Sequence, residues 1–367
     1  MRNRYQTSLR TLAASAFAAI GLSMAAPVGA QAADFAFQGA HIFPEAFVQT
    51  GQNLEEWAKR VSEASNGRIT FNIVHGGALL SLGDHLDGIA GGLVDVTSYY
   101  PIYFPGEFQV EGALTNIIDI WSEAVPDLEG VAHIHSALHK EFPAFAAEYE
   151  NRNMQMLLPL PADPYVIACK TEVKSLADLE GRKMRTFGRY FPILQQHLGV
   201  EPLTVPGPEA YQALATGLVD CVYSTPDWSY SNSLHEGAPH GFVPAPERAR
   251  PQLFATAVVA MNVNSFNKLP DDLKQVVLDV SEDMKGYIGQ SMEKVYDTAL
   301  DNLAKANGAT RNHMSAEDLA TWAERTPNLL DQAAADLTAA GYPGDEIIAR
   351  YRELAAAYIA GEWPAKQ

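Results

Sequence analysis

Arg185, Phe187, Ser224, Asp227 and Trp228 fall within one stretch of the chain, Leu179 to Trp228, and they are residue types that can hold a small polar ligand. A guanidinium presents a planar fork that meets a carboxylate through two parallel hydrogen bonds, and it keeps its charge when buried. Arg185 is therefore the leading candidate for an anchor, whereas Arg189, four residues on, reads as an exposed arginine at a helix start. Asp227 beside Trp228 opens a second possibility. If that carboxylate faces the ligand, an amine or zwitterion becomes the partner, and the tyrosines add cation–π attraction.

Other chemistry finds little support. The chain has no Gly-x-Ser-x-Gly, no His-Glu-x-x-His, no phosphate loop and no Gly-x-Gly-x-x-Gly, so neither an enzyme nor a cofactor is expected. His135 and His139 stand four apart on one helical pattern with His133 nearby, a spacing that suits zinc. No cysteine or further histidine close in sequence completes a tetrahedral set. They are read as solvated helix histidines, with no metal.

The stretch that carries the candidates reads as strand, helix, strand, helix, strand. KMRTF is the first strand, a helix from Tyr190 to Leu198 ends at Gly199, EPLTV follows, a helix from Glu209 to Thr216 ends at Gly217, and Val219 to Ser224 closes the unit. Pro206, Gly207 and Pro208 break the chain between the second strand and second helix. Such a unit predicts a parallel sheet with its ligand site outside the carboxyl ends of the strands. An echo of it lies upstream: residues 84–100 read DHLDGIAGGLVDVTSYY and residues 209–225 read EAYQALATGLVDCVYST, aligned without a gap. A recurring unit predicts two similar α/β lobes facing each other across a cleft. Its walls are then Ser98, Tyr99 and Tyr100 on one side, with Phe43 near by, and Arg185, Ser224 and Trp228 on the other.

The run Ser175-Leu-Ala-Asp-Leu-Glu-Gly-Arg-Lys-Met-Arg185, followed by Glu209-Ala-Tyr-Gln-Ala-Leu-Ala-Thr-Gly-Leu-Val-Asp220, resembles the substrate-binding proteins of TRAP transporters, the dicarboxylate-binding type. Trp57 to Leu79, with Ser65-Asn-Gly-Arg-Ile-Thr and Gly76-Gly-Ala-Leu, is similar to the same family. The resemblance implies a two-lobed periplasmic-binding-protein fold with hinge crossings and a long helix bracing both lobes. It also implies a receptor that hands a small organic acid to the small and large integral membrane subunits of its transporter. In that family the arginine matching Arg185 binds the ligand carboxylate. The departures are specific: Gly207 stands where a pocket phenylalanine is common, Ser224 where an asparagine often follows, Cys221 where glycine is usual, and a second arginine near Pro164 and Tyr165 is missing. One fewer cation and one fewer ring suggest a bulkier monocarboxylate, surrounded by Tyr99, Tyr100, Tyr103, Phe187, Tyr190 and Trp228. The alternatives are a receptor for an amine paired with Asp227, or an exported α/β enzyme with its site in the same cleft.

Composition sets the compartment. Arg2, Arg4 and Arg10 precede an apolar run from Leu12 to Ala26, and Ala30-Gln31-Ala32 offers a cleavage site, so residues 1–32 read as a secretory signal and the product as periplasmic. The run is shorter than the roughly 20 residues that span a bilayer, so no membrane insertion is expected after cleavage. Loss of the three arginines takes the formal charge from −18 to about −21, which argues against nucleic acid and anionic membranes. Cys169 and Cys221 are the two cysteines, and two buried thiols are preferred over a bridge. The expected organisation is residues 33–160 as the first lobe and 161–252 as the second. Residues 253–306 return to the first lobe and form the long helix, and 307–367 are helices packed on the second lobe.

Overall fold

The computed structural model describes residues 33–114, 118–119, 127–243, 252–253, 256–305 and 308–363. The expected signal at 1–32 and the expected last residue of the long helix, Ala306, lie outside these residues.

In chain order the strands are β1 (Phe35–His41), β2 (Ile69–Val74), β3 (Val96–Tyr99), β4 (Ile118–Asp119), β5 (Met154–Leu160), β6 (Val166–Cys169), β7 (Lys183–Thr186), β8 (Glu201–Thr204), β9 (Cys221–Ser224), β10 (His240–Val243), β11 (Gln252–Leu253), β12 (Ala257–Asn262) and β13 (Thr310–His313). They form two main sheets, ordered β2-β1-β3-β12-β5 and β13-β10-β6-β9-β7-β8, while β4 pairs with β11. β1 runs parallel to β2 and β3, and β7 runs parallel to β8 and β9. Each sheet thus contains the same parallel trio, with its first strand in the centre.

The sequence repeat has a local physical cause. In each copy a glycine at positive φ, Gly92 at +74° and Gly217 at +79°, lets the chain leave its helix and turn into the third strand. The valine two residues on is buried, and the aspartate after it ties that strand to the central one. Asp95 Oδ2 accepts the backbone N–H of Gln38 at 2.8 Å, and Asp220 Oδ2 accepts that of Lys183 at 3.1 Å. Gly-Leu-Val-Asp is therefore a structural corner that aims β3 and β9 at the site.

β12 lies between β3 and β5, antiparallel to both, so the chain returns to the first sheet after building the second. The helix Asp271–Ala304 follows Pro270, has 34 residues, and is about 51 Å long at 1.5 Å per residue. Leu273, Val277, Val280, Met284, Ile288 and Met292 recur at helical spacing and are buried. The helix packs on Asn53–Ala64 beside the first sheet, where Trp57 Nε1 donates to Ser281 Oγ at 2.9 Å, and on Pro226–Ser231 beyond the second.

Two expectations need correction. Cys169 and Cys221 form a disulfide rather than two thiols. They sit directly opposite each other on antiparallel β6 and β9 with Cα atoms 4.1 Å apart, under the roughly 7 Å beyond which two cysteines cannot be bridged. The last helix, Gly344–Ile359, packs against Leu128–Glu141 on the first-lobe side and not on the second: Arg350 pairs with Glu141, and Tyr358 donates to Asp127. The preceding helices do reach the second side, through Trp322 Nε1 to the Leu194 carbonyl and Tyr190 to Asp336.

Candidate functional site

Arg185 is the third of four residues in β7, and only 2% of it is exposed. Its Nε donates to the Val205 carbonyl at 3.0 Å and its Nη2 to the Tyr103 hydroxyl at 3.3 Å. The guanidinium carbon stands 4.3 Å from the centre of the Phe187 ring and 4.8 Å from that of Trp228, which fixes its plane. Among the described residues no carboxylate pairs with it. A buried cation without a counter-charge is costly, so the arrangement favours an anion brought from outside.

Around Arg185 the ends of the strands deliver an aromatic wall. Phe43, Phe47, Gln49, Tyr100, Tyr103 and Tyr165 join Arg185, Phe187, Ser224, Thr225 and Trp228 in lining one small cavity. Phe43 meets Phe47, Tyr100 and Trp228 edge-on at centroid distances of 5.7, 6.0 and 6.2 Å, so one ring ties together residues from both sheets' strand ends. The cavity encloses about 20 Å³, room for a water but not for an organic solute. Entry of a solute requires the two walls to part. A second cavity of about 780 Å³ lies between the helix Leu128–Glu141, β5 and the long helix, and shares no lining residue with the Arg185 site.

Gly207 lies beside the cavity. A Cβ there would come within 2.8 Å of both Phe43 Cζ and Tyr103 Oη, so the rings fill the room a side chain would need. Ser224 is turned to Ser229, with their hydroxyl oxygens 2.5 Å apart. Thr225 caps the helix Pro226–Ser231 by accepting the Trp228 N–H at 3.1 Å, which seats the indole over Arg185.

Asp227 is buried but does not line the cavity. Its Oδ2 accepts the backbone N–H groups of Val48 at 2.9 Å and Gln49 at 3.3 Å, at the start of the π-helical turn Val48–Gln52. Burial pushes its carboxyl up to about 6, against the pull of those two N–H groups. It therefore joins the two walls of the cleft.

The structure also separates residues that sequence reasoning placed together. Tyr99 is fully buried among Phe104, Phe108 and His85, away from the cavity, while Tyr100 lines it. Successive residues at a strand end point to opposite sides, so only one of the pair can face the cleft. Tyr190 turns to Asp336 and also leaves the site. Gln49, Phe47 and Tyr165 were not expected there. Gln49 gave no signal because its role is set by distant partners: Nε2 donates to the Leu160 carbonyl and Oε1 accepts the Tyr100 hydroxyl, each at 2.8 Å.

The solvated reading of the helix histidines is likewise corrected. His135 and His139 face inward and both contact Glu111, which is fully buried, while His133 alone turns away toward Glu129.

A TRAP solute-binding protein from Rhodoferax ferrireducens, solved with copurified benzoate, superposes with a TM-score of 0.79 at 22% identity, covering 89% of this chain and 99% of that one. A marine metagenome TRAP solute-binding protein specific for aromatic acid ligands, in complex with 3-hydroxybenzoate, gives 0.77 at 21% identity, covering 88% and 98%. In sequence, the ectoine-binding periplasmic protein of Halomonas elongata is 24% identical over 233 residues, 59% of this chain and 60% of that protein. The match therefore spans well under two thirds of that relative's length. The model of the bacterial extracellular solute-binding proteins, family 7, matches residues 39–336, and the chain belongs to that family of binding proteins, not of enzymes.

Proposed function

We propose that the protein is a periplasmic TRAP-transporter receptor that closes two lobes over a small organic acid with one carboxylate and an aromatic or otherwise bulky apolar body. It then delivers that acid to the small and large integral membrane subunits. The observation that carries the reading is Arg185: a buried guanidinium, stacked between Phe187 and Trp228, with no carboxylate partner among the described residues. A ligand carboxylate meets its fork, and Phe43, Tyr100, Tyr103 and Tyr165 surround the remainder. The aromatic acids named for two structural neighbours support the same ligand class.

Residues 1–32 are the export signal, and Pro161 to Pro164 is a hinge crossing between lobes built on 33–160 and 161–252. Among the described residues no helix is long and apolar enough to cross a membrane. An amine ligand is less well supported, because the Asp227 carboxylate is taken up by two backbone donors.

A thermal-shift screen of mono- and dicarboxylates, aromatic acids and amines tests this. A ligand at a hundredfold excess over its dissociation constant adds about 2.7 kcal/mol to folded-state stability. The expected result is a shift with aromatic or bulky monocarboxylates that disappears in Arg185→Ala. A shift with amines alone, or one that survives the substitution, refutes it.

A further inference from the structure

Far from Arg185, three potential ligands converge in the interior of the first-sheet side. Glu111 lies on the helix Gln109–Leu114 and is fully buried. His135 and His139 lie one turn apart on Leu128–Glu141, so both rings leave the same face of that helix. Glu111 Oε1 is 2.7 Å from His135 Nε2, and Oε2 is 2.5 Å from His139 Nε2. One ligand atom from each of the three residues lies within 4.8 Å of the others.

The surroundings hold this set in place. Glu148 accepts the backbone N–H groups of Gln109, Val110 and Glu111 at 2.7, 2.8 and 2.9 Å, pinning the helix start that carries Glu111. Phe145 and Tyr149 pack on the His139 ring at centroid distances of 4.8 and 5.6 Å and limit its rotation. His139 and Tyr149 also line the cavity of about 780 Å³, whose rim includes the exposed Lys140, Glu150 and Gln275, so an ion has a route to one edge of the set.

We propose that Glu111, His135 and His139 form a divalent transition-metal site, with zinc as the preferred ion, that clips the helix Gln109–Leu114 to Leu128–Glu141. Two imidazoles and one carboxylate are a borderline donor set that suits zinc, whereas calcium and magnesium take oxygen ligands. Three protein ligands leave a fourth position for water. A zinc ion with bonds of about 2.1 Å needs tetrahedral neighbours about 3.4 Å apart, so Glu111 and the two rings must shift to admit it, and each Nε2 presents its lone pair to the ion with the ring proton carried on Nδ1. The site is separate from the cleft and does not rest on the receptor reading.

The test is zinc binding to the chelator-stripped protein by calorimetry and by metal analysis after equilibrium dialysis. The expected result is one zinc per chain, released by chelator, a higher melting temperature with zinc, and visible d–d bands of a tetrahedral ion when cobalt(II) replaces it. His139→Gln and Glu111→Gln, checked for folding by circular dichroism, should weaken zinc binding roughly 100-fold or more. No stoichiometric zinc on the unsubstituted protein overturns the proposal, as does a folded His139→Gln protein that binds zinc equally well. If the variants do not fold, the imidazole nitrogen resonances of His135 and His139 in the unsubstituted protein decide it: zinc must shift both, and unchanged resonances refute the site.

Discussion

The Oδ2 atom of Asp227 lies 2.9 Å from the backbone nitrogen of Val48, joining the helix after β9 to the turn that follows β1 across the cleft. This contact exists only while the two walls are together. Burial holds the Asp227 carboxyl at about 6 in the folded protein, above the usual 3.8.

That shift has a direction. A carboxyl whose pKa is raised by folding favours the folded state when protonated. Its contribution is fully present below about pH 3.8 and is lost as pH rises through about 6. The difference is at most about 3 kcal/mol. Urea midpoints measured across this range should rise with acidity more steeply in the parent protein than in Asp227→Asn, and parallel profiles would sink the assignment.

Arg185 carries the largest predicted effect on binding. Truncating one member of a buried, hydrogen-bonded charge pair costs about 2–5 kcal/mol, so Arg185→Ala should weaken acid binding by roughly 30-fold to several thousandfold. Arg185→Lys keeps the charge but loses the fork and the stacking on Phe187 and Trp228, and should fall between the two. Titration calorimetry of the three proteins checks the order.

Gly207 tests how the cleft closes. Because a Cβ would stand 2.8 Å from Phe43 Cζ and from Tyr103 Oη, Gly207→Ala should hinder closure and weaken ligand binding. Phe43→Leu in the same chain should recover part of the loss by giving way. A double-mutant cycle with no coupling between positions 43 and 207 would show that the contact does not matter.

The disulfide closes a sequence separation of 52 residues. By loop entropy its loss costs about 4 kcal/mol, so Cys169→Ser with Cys221→Ser should lower the urea midpoint strongly. Because the bridge lies between β6 and β9 and outside the cavity lining, affinity for the acid should change little in protein that remains folded.

Sequence alone determined what local patterning controls. The strand–helix–strand order of both trios, the Gly-Leu-Val-Asp corners and the apolar face of Asp271–Ala304 follow from periodicity and turn chemistry, which act over a few residues. Those elements also set Arg185 and Phe187 at a strand end, where the resemblance to a binding-protein family had placed a carboxylate anchor. Tertiary structure decided everything that depends on which distant segments meet. Strand pairing set Cys169 against Cys221, and opposed side-chain directions at a strand end sent Tyr99 into the core and Tyr100 into the cleft. Gln49 reached the site from the opposite wall, Asp227 became a link between walls, and Glu111 met two histidines from another helix. Such contacts arise between residues far apart in the chain, and the spacing of residue types along it carries no record of them.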